Sequence, residues 1–525
     1  MAADETIRVS SADAPVQVIG HGDLTEDLLS TDTWSDRQVA EAGLPVIEVP
    51  FVTVGAGIGS FVTFDYLRIA GVPASDIKVL GVNEAPWSTY EYLTRNSQIP
   101  RGERLRSDSA STPDNIWGFP SYAVREALAA KGLKATIAPL WNVLTEPVLT
   151  NYYTPRAGQA FASMEREAAR VGYFGCLERG LVRMVRRREG GGYFTVLTPP
   201  DGAADTARVV YKSRWVHVAV GYPGLKFLDD LQAYRDTHQD YASVVNAYEP
   251  HEGVYEDLRH RPGTVVIRGS GIVASRILQR LIDDRDHHGA QTHIVHVFRT
   301  YVSGSHGPHL LMRRRGGHGW AYQGFNYPKS VWGGQLKARM RRLEGADRAA
   351  LYKAIGGTNT PVRRQWQEQQ ARGRKEGWYR TVTGQVSSVE PAPGGGTVTR
   401  IDTAEGILEL AARYVIDCTG LEADITEHRL FADLLQHSGA SRNPLGRLDV
   451  ERTFEVRGTA SGDGRLYASG TATLGGYFPG VDTFLGLQIA AQEIGDDLAR
   501  QGFGRRIGPW RSITQWFRWA RGKAV

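Results

Sequence analysis

The same order of apolar and polar positions occurs twice along the chain. The run VPFVTV (49–54) is apolar, and the turn GAGIGS (55–60) is almost bare of side chains. The stretch after it sets Phe61, Phe64, Leu67 and Ala70 at helical spacing. A Pro-bearing turn and the run IKVLGV (77–82) follow, the latter with the β-branched character of a buried parallel strand. The pattern predicts strand, glycine turn, helix, strand. Gly55, Gly57 and Gly59, with small Ser60 in the third position of the turn, let backbone N–H groups approach a phosphate at a helix N-terminus. Glu84 closes the unit where a carboxylate would meet a ribose hydroxyl.

Residues 264–300, TVVIRGSGIVASRILQRLIDDRDHHGAQTHIVHVFRT, obey the same rule, with Gly269, Gly271 and Ala274 in the turn. The ending differs: Arg299 follows the second strand, a residue type that suits a 2′-phosphate and so NADP rather than NAD. One glycine turn alone is weak evidence, because glycine clusters also make ordinary tight turns. Two complete units with complementary acid and base endings are far stronger. The runs RWVHVAVGYPG (214–224), ARYVIDCTGLE (412–422) and GRLYASGTAT (464–473) each read as a short strand entering a small-residue turn, the last followed by a helix in DTFLGLQIAAQEIGDDLAR. Residues 181–218 and 380–416 read as β-hairpins or meanders, and residues 301–380, rich in Arg, Gly and Trp, as loops.

Length and composition then narrow the class. A chain of 525 residues with 41% hydrophobic and 23% charged residues is a globular protein of two to four domains, an enzyme by default. The formal charge of +5 is small and scattered, so it does not point to nucleic acid and fits an anionic ligand equally well. Cys176 and Cys418 lie far apart, which leaves disulfide staples, thiolate metal sites and dithiol chemistry without support and favours a reducing compartment. The acidic, polar start MAADETIRVSSADAPVQ is unlike a signal peptide, and no run has the length of a membrane span. A cytoplasmic protein without a membrane partner or a metal is expected.

With these parts in this order, the sequence resembles the two-dinucleotide-binding-domain flavoproteins. More narrowly it resembles the NADPH-dependent flavoprotein monooxygenases, the group of amine N-hydroxylases, flavin-containing monooxygenases and Baeyer–Villiger enzymes. The resemblance covers residues 49–500 in scattered motifs. It implies an α/β fold of two Rossmann-like dinucleotide-binding domains, the NADPH domain inserted into the FAD domain, with β-meander insertions. The implied division is an N-terminal extension (1–48), a first FAD part (49–245), an NADPH domain with a loop insertion (246–420), a second FAD part (421–500) and a tail (501–525). FAD pyrophosphate would lie at the first glycine turn and NADPH at the second. The links would be Ala219–Pro223 and Asp417–Gly420, bringing Thr419 and Gly420 to a cofactor. Where the family often has a Gly-Asp pair beside the flavin ribityl chain, this chain offers Ser469, Gly470 and Thr471.

The element HEGVY (251–255) matches a His-Ser-x-x-Tyr-like element of N-hydroxylases at His251 and Tyr255, and the Phe-Gly-His fingerprint of Baeyer–Villiger enzymes is missing. The plainer reading of His251 is a surface histidine in a linker. The resemblance implies hydride transfer from NADPH to flavin, then passage of an oxygen atom from a flavin C4a-hydroperoxide to a small amine or amino acid, with no acid–base residue nominated. Arg101, Arg104, Arg106, Trp117, Tyr122 and Arg125 are candidates to clamp a carboxylate and stack on a ring; each also reads as a solvated arginine or a core aromatic. Arg313, Arg314 and Arg315 suit either the NADP phosphate or an exposed charge run. The tail WRSITQWFRWARGKAV alternates aromatic and basic residues, a pattern for a membrane surface, a partner helix or the protein's own body. Rival functions are Baeyer–Villiger or carbon- and sulfur-oxygenating enzymes, an NADPH-dependent flavin reductase or electron-transfer flavoprotein, and a nucleotide sensor without turnover. Substrate identity and self-association into a homo-oligomer stay open.

Overall fold

In a computed structural model, which describes residues 22–105, 107, 109–146, 149–150, 153–200, 208–306, 315–322, 335–355 and 364–525, each patterned segment builds a five-stranded parallel sheet. The first sheet runs in the order Arg465–Ala468, Trp215–Val218, Phe51–Val54, Ile77–Gly81, Leu177–Arg179. The second runs Val244–Asn246, Tyr414–Asp417, Thr264–Arg268, His293–Phe298, Tyr379–Thr383. In both, the strand that enters the glycine turn is central, with the strand after its own helix on one side and a strand from far along the chain on the other. A central strand covered on both faces needs no solvent-facing polar side, which is why Phe51–Val54 is buried at every position and its one polar side chain, Thr53, is turned to a buried partner, His217. The turn helices are Ile58–Ile69 and Ile272–His288. The helix Phe484–Arg500 lies along the first of them, so close that a Cβ on Gly495 would touch the Tyr66 ring.

The Gly- and Pro-bearing segments form antiparallel meanders: Leu181–Arg188, Tyr193–Thr198 and Val209–Ser213 on the first unit, Gln385–Pro391, Thr397–Thr403 and Gly406–Ala412 on the second. Part of the N-terminal extension joins the first meander, with Thr33–Trp34 and Val46–Glu48 pairing against its two outer strands. Two expectations need correction. The strand Val244–Asn246 already belongs to the second sheet, so the chain enters that unit upstream of the boundary drawn at residue 246. Residues 301–380, expected as loops, contain the helices Gln335–Met340, Gly345–Ile355 and Arg364–Glu376. Their periodicity is hidden because some arginines are core residues: Arg348 is buried, donates to the Gly475 carbonyl at 3.1 Å and lies 4.0 Å over the Tyr477 ring. Among the described residues no helix is long and apolar enough to cross a membrane.

Candidate functional site

The two glycine turns are built alike. Gly55 has φ +129°, and a Cβ there would lie 2.3 Å from the Ala219 carbonyl oxygen; Gly269 has φ +115°, with the Cys418 carbonyl oxygen at 2.6 Å. Only glycine fits either place. Two residues on, Gly57 and Gly271 cap their helices with nearly the same backbone, φ −93° and ψ −168° against φ −86° and ψ −170°. Here the surroundings open. A Cβ on Gly57 would meet only the Asn83 amide at 3.9 Å and the Gly55 carbonyl at 4.0 Å, and one on Gly271 nothing within 4 Å. Each turn is therefore packed tightly on its sheet side and bare on its outer side, where the unpaired N–H groups of a helix N-terminus point. Bare backbone of this kind at a helix N-terminus suits a diphosphate.

Buried histidines hold both turns. In the first unit Ser60 donates to the Val54 carbonyl at 3.3 Å, and Gly59 sits where a Cβ would be 3.0 Å from the Ala219 Cβ and 3.4 Å from the Ser469 hydroxyl. That hydroxyl bonds His217 Nε2 at 2.9 Å, and His217 Nδ1 meets the Thr53 hydroxyl at 2.9 Å, so one side chain ties three neighbouring strands. In the second unit Ala274 is fully buried, and His296 Nε2–H donates to the Gly269 carbonyl at 2.5 Å while Nδ1 pairs with the Tyr379 hydroxyl at 3.3 Å. Burial pushes His217 down to about 3 and His296 to about 4, so both rings are neutral at physiological pH. The sequence reading did not single out either histidine. The available signal was a histidine inside an otherwise apolar strand next to a glycine turn.

The units are joined twice. Asp417, at the end of its strand, accepts from the Thr419 N–H at 2.9 Å, the Thr419 hydroxyl at 2.6 Å and the Leu228 N–H at 2.8 Å. Leu225 bridges to Leu421, and Thr471 donates to the Gly221 carbonyl at 2.9 Å, so the outgoing and returning links run side by side. Away from the links, Arg276 of the second turn helix reaches Glu103 at 2.7 Å and the Arg104 carbonyl at 3.0 Å, Arg280 reaches Gln98 at 2.6 Å, and Asn96 donates to the Tyr248 carbonyl at 2.9 Å. Aromatic side chains gather at this junction. Tyr222 donates to Asp482 at 3.2 Å beside the Thr483 cap of the helix Phe484–Arg500, and Tyr90 packs on Phe484 at 5.4 Å. Burial, with Asp482 adding to it, raises the Tyr222 phenol, and burial lifts Tyr248 to about 12; both stay protonated.

Other sequence candidates are engaged elsewhere. Glu84 is 75% exposed and ion-paired with Arg179 at 2.9 Å; its neighbour Asn83 is the side chain that a Cβ on Gly57 would meet. Arg299 is exposed directly after its strand, and no described carboxylate pairs with it. Thr419 is exposed; Gly420, at the returning link, has φ +134°, and Gly470, just after the strand Arg465–Ala468, has φ +77°. Arg101 pairs with Glu91 at 2.5 Å and Arg104 with Glu126 at 2.8 Å, and Trp117 donates to Ser512 at 3.0 Å, so each of the three has a partner within the protein. His251 is not a surface residue: it is 6% exposed, bound to the Glu249 carbonyl at 2.7 Å and the Tyr255 hydroxyl at 2.9 Å inside the second unit. Arg106, Arg313 and Arg314 lie outside the described residues, and Arg315 opens a short strand, Arg315–Gly317. Tyr122, Arg125, Arg156 and Arg166 line a groove of about 540 Å³ that shares no residue with either turn. Among the described residues no cluster of His, Cys, Asp and Glu has the makings of a metal site.

No protein-family model and no curated protein matches the sequence. Solved structures do match. Ornithine hydroxylase from Pseudomonas aeruginosa is 15% identical, with 87% of this chain and 100% of that one covered and a TM-score of 0.58. Ornithine N-hydroxylase from Kutzneria sp. 744, solved with reduced FAD, NADP+ and L-ornithine, is 12% identical over 87% and 100%, TM-score 0.59. The FAD-bound cadaverine monooxygenase of desferrioxamine biosynthesis from Erwinia amylovora is 13% identical over 88% and 96%, TM-score 0.59. The chain has the fold of these two-dinucleotide-domain proteins over nearly their whole length.

Proposed function

We propose that the chain is an NADPH- and O2-dependent FAD monooxygenase that N-hydroxylates a small amine or amino acid. The observation that carries this reading is the pair of open glycine crevices, on two like sheets pinned to each other, the second followed by exposed Arg299, which no described carboxylate pairs. FAD pyrophosphate fits against Gly55, Gly57, Gly59 and Ser60, and NADPH against Gly269, Gly271 and Ala274 with Arg299 on its 2′-phosphate. Bound there, FAD and NADPH would supply the redox chemistry that couples NADPH oxidation to oxygenation of the substrate by O2.

The chain's own residues position and seclude. His217 and His296 fix the strand ends that bear the turns. The protonated Tyr222, bonded to Asp482, and Tyr248 line the junction without adding charge, and the links held by Asp417 keep the two crevices in one register. The fold neighbours named for ornithine and cadaverine act on amines, which supports nitrogen over carbon or sulfur. Aerobic NADPH oxidation is screened against amino acids and diamines with product masses recorded. A substrate-dependent gain of one oxygen atom on nitrogen is expected. Oxygen on carbon or sulfur moves the chain to the rival oxygenases, and flavin that NADPH fails to bleach overturns the reading.

A further inference from the structure

The C-terminal helix Pro509–Ala520 has two unlike faces. Its inner face is fixed: Trp519 Nε1–H donates to the Asp114 carbonyl at 3.1 Å, Trp516 meets the Phe119 ring at 5.6 Å, and Arg511 donates to the Ile69 carbonyl at 2.6 Å. Its outer face sets Trp510, Ile513 and Phe517 at helical spacing, 82%, 49% and 49% exposed. Charge surrounds them with one sign. Residues 502–525 hold Arg505, Arg506, Arg511, Arg518, Arg521 and Lys523 and no Asp or Glu. All but Arg511 are exposed, and among the described residues Arg506 alone of the exposed five has a carboxylate nearby, Asp496 at 3.7 Å.

We propose that this face docks on an anionic lipid bilayer, with Trp510, Ile513 and Phe517 entering the boundary between headgroups and acyl chains and the surrounding cations meeting lipid phosphates. A second copy of the chain placed on the same face would set these cations against their own kind, and a nucleic acid would answer the cations while leaving three apolar side chains in water. An anionic bilayer answers both. A helix of 12 residues is about 18 Å long, too short to span the bilayer, so the docking is peripheral. It replaces the expectation of no membrane partner and does not depend on what the glycine crevices hold.

Full-length protein is sedimented with large vesicles of phosphatidylcholine alone or mixed with phosphatidylglycerol. Binding to the mixed vesicles only, weakening as salt rises, is expected. The triple variant Trp510→Ser, Ile513→Ser, Phe517→Ser and the double variant Arg518→Glu, Arg521→Glu should each bind at least about tenfold more weakly, with far-UV circular dichroism unchanged because these side chains face solvent. Absence of sedimentation with the mixed vesicles, equal binding to neutral ones, or wild-type partition by the triple variant overturns the proposal. So does tight binding to a homopolymeric RNA that the triple variant retains, which would assign the face to a polyanion.

Discussion

Asp114 shows how much one buried carboxyl can cost. It is 2% exposed, one of its oxygens has no hydrogen-bond partner, and burial, with Glu167 adding to it, pushes its pKa up to about 6. A folded-state pKa above the unfolded value means the native state holds the extra proton between them, so stability falls as pH rises from about 4 to about 6 and stays lower beyond. The cost at neutral pH is about 3 kcal/mol. Asp114→Asn, a mimic of the protonated acid, should match wild type in urea unfolding near the acid end of that window and exceed it by up to about 3 kcal/mol at neutral pH. A difference independent of pH would show that the carboxyl is not titrating there. Arg299 makes the opposite case, an exposed cation with no described carboxylate partner. Arg299→Ala should raise KM for NADPH by the worth of a charged hydrogen bond, about 1.5 to 3 kcal/mol, and leave KM for NADH unchanged. Equal effects on both would remove it from the phosphate.

The glycine turn is the element on which the functional reading stands, and its two sides separate two kinds of glycine. At Gly55 a side chain would collide with a neighbouring strand, whereas at Gly57 it would enter open space. Gly57→Val should therefore leave a folded protein that purifies colourless, read as lost flavin absorbance with unchanged far-UV circular dichroism; full flavin occupancy would place the pyrophosphate elsewhere. These turns, their strands and both meanders were legible in the sequence because each is written locally, in apolar runs punctuated by Gly and Pro. The strands Thr33–Trp34 and Val46–Glu48 were not, since they are too short to carry a period and exist only through pairing with distant partners. The same limit applies at the site. Bare backbone announces itself, but Arg101, Arg104, Trp117 and His251 look free until Glu91, Glu126, Ser512 and Glu249 are seen beside them. His296 needed the strand order before its bond to Gly269 had meaning.

At the scale of the whole molecule the question is what fixes one sheet against the other. The paired links braced by Asp417 join the two sheets along one side, and on their own they would leave a rotation free. The second attachment removes it. Arg276, on the helix that leaves the second glycine turn, reaches across to Glu103 and to the Arg104 carbonyl of the first unit. The Arg276 side chain is 8% exposed and that of Glu103 47%, so solvent screens the ion pair and the bond to the backbone carbonyl carries more of the coupling. Each unit keeps its own core, so Arg276→Ala should leave flavin content and the urea midpoint close to wild type. The register between the crevices should loosen, slowing flavin reduction by NADPH about tenfold, or about 1.4 kcal/mol, in anaerobic stopped flow. Arg276→Lys, which can still reach one acceptor, should recover part of the rate. Reduction at the wild-type rate in the alanine variant would mean that the links alone hold the two crevices in register.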